Sequence, residues 1–194
     1  MDFKELVLKN RSYRRFDGSK AIASETLRDL IELARNVPSG ANKQPLRYAC
    51  SCTAESNAKV YETLGWAGYL TDWKGPNPDE RPTGYIIILS DKEGGGGEST
   101  DSGISAQTIL LGAAELNLGG CMFGNIRKPA LRQLLGVEDR YEIVLVVALG
   151  VPVEKVVIED IPDNGSIKYW RDESGIHHVP KRALDDIILE TDVS

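Results

Sequence analysis

Two apolar runs stand out from an otherwise mixed pattern: YIIILS from Tyr85 and EIVLVVALG from Glu142. Both are too short for a buried helix and are rich in β-branched residues, which predicts central strands covered on both faces. LRYACSC alternates instead: Leu46, Tyr48, Cys50 and Cys52 are interleaved with Arg47, Ala49 and Ser51, as in a half-buried strand. CMFGNI, from Cys121, reads as a short strand running into a turn.

Helical spacing marks the segments between. Asp2 with Glu5 resembles a capping box ahead of Phe3, Leu6 and Val7, which share a helical face. Ser24 is placed to cap a second helix with the stripe Leu27, Leu30, Ile31 and Ala34, and Pro38 lies just past its end. A further helix is expected over 57–64, and an irregular segment over 65–82. From Ser102 to Asn117 the pattern is apolar on most sides, with Thr100 or Asp101 as cap and Gly119 or Gly120 as stop. Such a helix belongs in a core or a subunit interface. Pro129 suits the start of PALRQLLG. Beyond the last apolar run, VEKVVIED reads as an extended arm, YWRDESGIHHV as two short strands around DESG, and Ala183 to Leu189 as a closing helix. Helices and strands are interleaved without repeat or linker, so one α/β or α+β domain with three layers is expected.

Composition narrows the class. With 194 residues, 41% of them hydrophobic, the chain can bury an ordinary core. The net charge of -6 argues against non-specific nucleic-acid binding. Three cysteines, an odd number at no zinc spacing, argue for reduced thiols. No run approaches the roughly 20 apolar residues of a membrane span, and the first residues lack a signal peptide's apolar stretch. The expectation is a cytoplasmic protein with no membrane or nucleic-acid partner.

Candidate chemistry is sparse. The run Gly94 to Gly97 invites a phosphate-loop reading but lacks the Lys-Ser/Thr that should follow, and reads as a surface loop. His177 and His178 are adjacent, so on a strand they point to opposite faces and do not readily ligate one metal. NRSYRRF, Asn10 to Phe16, concentrates Arg11, Arg14 and Arg15 in an acidic chain. The stretch is either a solvated surface or a socket for one compact anion, for which guanidinium forks and the Ser12 hydroxyl supply charge-assisted and neutral donors. PSGANKQP offers Asn42 and Gln44 amides suited to a heterocycle edge, or else is a turn-rich connection. Pro180-Lys181-Arg182 is a second basic pair.

Taken together, RSYRRF (Arg11 to Phe16), PSGANKQP (Pro38 to Pro45), the apolar helix followed by LGGCMFG (Leu118 to Gly124), the strand ending ALGVP (Ala148 to Pro152) and the terminal PKR resemble the FMN-dependent nitroreductase family, in the family's order. The resemblance implies an α+β fold, a three-layer sandwich with a central, mainly antiparallel sheet flanked by helices. It also implies an intertwined homodimer with FMN at the subunit interface, residues from about 153 to 194 embracing the partner. Arg11, Ser12 and Arg14 would hold the FMN phosphate and ribityl end, joined by Lys181 and Arg182. Ser39, Asn42 and Gln44 would reach the flavin of the partner subunit. The Phe123–Gly124 backbone would lie near the reactive N5 edge. Many relatives carry a basic residue where this chain has Asn10; the family's acidic residue beside the N5-edge glycine, often replaced in relatives, is Phe123 here.

The activity so implied is two-step: NAD(P)H gives hydride to FMN, and a nitroaromatic, quinone or similar small acceptor then takes two electrons. The flavin carries the chemistry, which matches a sequence with no evident nucleophile or metal motif. The rival readings are a non-catalytic flavin-binding or redox-sensing protein, a relative that dehalogenates its substrate or cleaves the flavin, and a phosphoanion-binding module without flavin. Trp66, Tyr69 and Trp73 either line the substrate face or pack the interior.

Overall fold

The computed structural model describes residues 1–94 and 99–189, and its contacts group into two units. The first unit comprises Met1–Trp66 and Gly75–Val153. The second comprises Ala67–Lys74 and the described chain from Glu154 onward.

The first unit is built on a four-stranded antiparallel sheet in the order β1-β2-β4-β3, where β1 is Leu46–Ser51, β2 Gly84–Asp91, β3 Gly119–Phe123 and β4 Tyr141–Gly150. The two apolar runs are its two central strands, as their patterns predict. Every residue of β2 is buried. Its side chains alternate between two apolar clusters: Ile86 and Ile88 join one, Tyr85, Ile87 and Leu89 the other.

Helices supply the outer layers. On one face lie α2 (Ser24–Arg35) and α4 (Ser99–Glu115), burying Leu27, Leu30 and Ala34 with Ala106, Ile109 and Ala113. On the other lie α3 (Ala54–Tyr61) and α5 (Lys128–Leu135), burying Val60, Tyr61 and Leu131. The three-layer α+β expectation is met. A short N-terminal helix, α1 (Phe3–Lys9), has the capping box read from the sequence: Asp2 accepts from the Glu5 amide and Glu5 from the Asp2 amide.

Several boundaries differ from the sequence pattern. Ala23, not Ser24, occupies the cap position of α2, and the Ser24 hydroxyl donates to Glu25 instead. α3 starts at Ala54 because the Thr53 hydroxyl oxygen caps the Ser56 amide. α4 begins before Thr100 and Asp101, so both are helical residues rather than caps. Just past its end stands Asn117, whose φ of 60° is left-handed, with the Leu118 and Asn117 amides donating to the Ala113 and Ala114 carbonyls. That is the two-bond stop in which Asn replaces the usual Gly. Gly119 and Gly120 instead open β3. At Gly120 a Cβ would come 2.5 Å from the Ala148 carbonyl oxygen, so close strand packing accounts for the glycine.

In the second unit, β5 (Val156–Asp160), β6 (Trp170–Arg171) and β7 (His177–Lys181) form a sheet in the order β5-β7-β6. The hairpin around DESG is present, with β6 antiparallel to β7, and the expected arm supplies β5, parallel to β7. The closing helix expected over Ala183 to Leu189 is a turn, with amides of Asp186 and Ile187 bonded to the carbonyls of Ala183 and Leu184. Leu184, Ile187 and Leu189 are exposed there, and a short helix without a buried apolar face is marginal. Of the glycine run, residues 95–97 lie outside the described residues. Among the described residues no helix is long and apolar enough to cross a membrane.

Candidate functional site

The arginine stretch leaves α1 as extended chain and is fixed mainly by its backbone. Ser12 bridges Gly120 at the start of β3, and the Tyr13 amide donates to the Gly120 carbonyl at 2.9 Å. Phe16 anchors the far end with a fully buried ring, and the Asp17 amide donates to the Val151 carbonyl. Lys9 ties the near end to the C-terminus of α4 by donating to Asn117 Oδ1 at 2.6 Å.

The three arginines have different surroundings. Arg15 is committed to Glu80, its Nε lying 3.0 Å from both carboxylate oxygens. Arg11 donates from Nη2 to the Val7 carbonyl at 2.6 Å, yet its Nε is buried with no hydrogen-bond partner among the described residues. Arg14 is half-buried and donates to the Ser12 carbonyl at 3.3 Å. Arg11, Ser12 and Arg14 thus follow one another along one extended stretch, with Ser12 exposed, while Arg15 is diverted to Glu80. The orphaned Arg11 Nε is a donor of the kind a phosphate oxygen would satisfy.

The loop carrying Ser39, Asn42 and Gln44 sits at the other end of α4. Ser39 Oγ donates to Asp101 Oδ2 at 2.7 Å, and the Gly40 amide donates to Asp101 Oδ1 at 3.1 Å. The Gln44 amide donates back to Ser39 Oγ at 3.0 Å. Between these ties the backbone is left-handed at three non-glycine residues, Ala41, Asn42 and Gln44, with φ of 49°, 54° and 48°. Gln44 Nε2 lies 3.1 Å from Asn42 Oδ1, so the two candidate amides form one pair. Asp101 was readable in the sequence only as a helix cap, and nothing in its spacing from Ser39 points to this contact.

The distance between these two groups of residues matters. Asp101 lies in the first turn of α4 and Asn117 just past its last turn, sixteen positions on, which at the helical rise is about 24 Å. One chain thus carries the arginine stretch and the amide loop at opposite ends of a helix.

Phe123 is buried at the end of β3, its ring 4.6 Å from that of Trp66, so its side chain belongs to the core. Gly124 faces open space: apart from its two chain neighbours, no described residue has an atom within 4 Å of where a Cβ would stand. Trp66 also packs at a tilt against Tyr61, with ring centres 5.1 Å apart, so interior packing accounts for it. Within the second unit Tyr69 meets Tyr169, and the Arg171 guanidinium lies 4.7 Å from the Trp73 ring centre. Lys181 ends β7 and Arg182 follows it, both exposed.

A cavity of about 760 Å³ opens between α2, β1 and the 39–44 loop, floored by Ile31, Val37, Leu46 and Tyr48. Cys50 borders it, and burial and the neighbouring Cys52 push the Cys50 thiol up from its ordinary value. All three cysteines are free thiols. No group of His, Cys, Asp and Glu among the described residues is placed to hold a metal ion.

Comparison with known proteins agrees with the fold. The model of the nitroreductase family matches residues 7–151. A nitroreductase family protein from Streptococcus pneumoniae TIGR4 superposes with a TM-score of 0.69 at 17% identity, covering 98% of this chain and all of its own. A protein from Exiguobacterium sibiricum 255-15, solved in complex with FMN, gives 0.66 at 19% identity over 79% of this chain and 90% of its own. A protein from Clostridium acetobutylicum, provisionally assigned as an NADH oxidase, gives 0.59 at 24% identity over 76% and 87%. Identities this low carry the fold alone. No curated protein sequence matches the chain. On the family match, which spans most of its length, this chain belongs to the nitroreductase family.

Proposed function

We infer that the protein is a homodimeric, FMN-dependent oxidoreductase that uses NAD(P)H to reduce a nitroaromatic, quinone or similar small acceptor. The carrying observation is the split of the candidate residues. The stretch carrying Arg11, Ser12 and Arg14 runs past one end of α4 and the Asn42–Gln44 amide pair lies at the other. A site in which one subunit supplies the phosphate cluster and its partner supplies the amide loop reconciles both with a single flavin.

In this reading Arg11 and Arg14 neutralise the FMN phosphate, and the buried Arg11 Nε gains the acceptor it lacks. Lys181 and Arg182 add charge to the same group. Ser39, Asn42 and Gln44 of the partner subunit address the ring edge. The open face of Gly124 admits close approach of the N5 edge to the Phe123–Gly124 backbone. Bound FMN supplies the hydride and electron transfer, and the chain supplies binding, orientation and positive potential. The FMN complex of the Exiguobacterium protein and the NADH oxidase assignment of the Clostridium protein support the cofactor and the donor.

The test uses the three arginines against one another. Purified protein should be yellow or take up added FMN, and a preparation that does neither sinks the reading. Arg14→Ala should weaken FMN by about 1.5–3 kcal/mol, the range for hydrogen bonds to charged groups. Arg15→Ala should leave FMN affinity unchanged, because Glu80 already occupies that guanidinium. Equal losses in both variants would remove the specific socket in favour of general surface charge.

A further inference from the structure

The 39–44 loop holds a conformation that its own residues disfavour. Left-handed backbone crowds Cβ at any non-glycine residue, and here Ala41, Asn42 and Gln44 all adopt it. Two turn bonds within the loop, Asn42 amide to Ser39 carbonyl and Lys43 amide to Gly40 carbonyl, do not reach its far end. At that far end Arg47 Nη1 donates to the Gln44 carbonyl at 3.0 Å, and the ties from the loop to α4 converge on one side chain. Asp101, only 7% exposed in the first turn of α4, accepts from Ser39 Oγ with one oxygen and from the Gly40 amide with the other. Ser39 Oγ, its proton spent on Asp101, accepts from the Gln44 amide. The chain of bonds runs from a carboxylate on a rigid helix, through a hydroxyl, to the backbone of the residue carrying a candidate flavin amide.

One turn further along α4, Ser105 is fully buried with its Oγ 3.0 Å from Tyr48 Oη on β1. Asp101 and Ser105, four residues apart, share a helix face. That face grips the loop and the strand that follows it.

We propose that Asp101 is a positioning residue. It holds the 39–44 loop in its left-handed form so that the Asn42 and Gln44 amides are preset for the flavin. The purpose rests on the flavin reading above; the restraint is a property of this chain alone. A carboxylate is the required chemistry, since both of its contacts are donors. Asn in its place keeps one acceptor and turns an NH2 toward the other donor. Presetting matters because a loop that must be ordered on binding spends affinity on its own ordering.

The test measures amide hydrogen exchange at Gly40 and Gln44 in flavin-free protein, and FMN affinity with the bound flavin's absorption spectrum. The variants are Asp101→Ala, Asp101→Asn and Ser39→Ala. Exchange at Gly40 should accelerate at least tenfold in Asp101→Ala, and exchange at Gln44 in both alanine variants. FMN should bind at least tenfold more weakly to Asp101→Ala with a shifted flavin spectrum, while Asp101→Asn should fall between it and wild type. Combining Asp101→Ala with Ser39→Ala should add little, since both break one network. Ser39→Ala leaves α4 intact and serves where an Asp101 variant fails to fold. Wild-type exchange, affinity and spectrum in Asp101→Ala and Ser39→Ala would overturn the positioning role while leaving the flavin reading standing. Loosened exchange with unchanged affinity and spectrum would overturn it too, reducing Asp101 to a structural tie. Failure of wild-type protein to take up FMN would overturn both.

Discussion

The two sheets of this chain are held by different forces. In the four-stranded sheet all of β2 is buried, and its alternate side chains feed two apolar clusters. Its one charged residue, Asp91 at the strand end, is met by Arg140 at 2.6 Å. In the three-stranded sheet β5 is half-buried or exposed along its length, and only His177 and Pro180 of β7 are buried. Polar pairs hold it instead. Arg171 meets Glu154 at 3.0 Å with the Glu154 side chain fully buried. His178 lies between Glu159 at 2.8 Å and Asp172 at 3.3 Å, and Trp170 Nε1 donates to Glu159 at 2.8 Å. Burial of apolar surface carries no titrating charge, whereas paired charges titrate, and losing one strands the other.

The largest effect should come from stranding a charge. Glu154→Gln keeps the shape and removes the charge opposite Arg171, which is itself only 16% exposed. Leaving a buried charge uncompensated costs about 3–5 kcal/mol. Hydrogen exchange should accelerate in β5, β6 and β7 and stay unchanged in β2 and β4. Equal acceleration in both sheets would break the comparison. Ile87→Ala probes the other mechanism: a fully buried side chain opposite Val146 is cut back, at a cost of about 2–5 kcal/mol. Its signature is a lower unfolding midpoint for the first unit that does not vary with salt. A marked salt dependence would show that charge, too, holds the central sheet.

The same difference decides what could be read from the sequence. Apolar periodicity is local, so the central strands, the α2 stripe and the DESG hairpin were all visible in it. Contacts between distant polar residues are not. Arg15 with Glu80 and Ser39 with Asp101 are 65 and 62 positions apart, and no spacing rule links them. The arginine stretch stood out as side-chain chemistry, three arginines and a serine in an acidic chain, but the diversion of Arg15 to Glu80 did not. The strain in the amide loop was not, because Ala41, Asn42 and Gln44 carry no glycine to announce a positive φ. The closing helix failed for the opposite reason: Ala183 to Leu189 has helical spacing, but its apolar residues remain exposed.

The smallest expected effect is the one that only the charge-held sheet can show. The hydrogen bond to Glu159, with the further bond and charge of Asp172, raises the His178 pKa above its ordinary 6.5. A raised histidine stabilises fully below its unfolded value and loses that contribution as pH rises through the folded one. The carboxylates behave in the opposite sense. Glu159 is lowered chiefly by the Trp170 hydrogen bond and then by His178, and Asp172 chiefly by the Ile176 amide. Their contribution is complete above their ordinary values of 4.5 and 3.8 and fades as pH falls through the lowered ones. The second sheet should therefore be tightest between those carboxylate values and 6.5, and should loosen as pH rises beyond it. Because Trp170 stacks on His178 with ring centres 4.1 Å apart, its indole resonance and fluorescence should titrate with the histidine. His178→Gln should abolish the transition, and amides of β2 should not follow it. A transition that persists in His178→Gln, or that β2 shares, would show that the two sheets do not differ in the way their contacts imply.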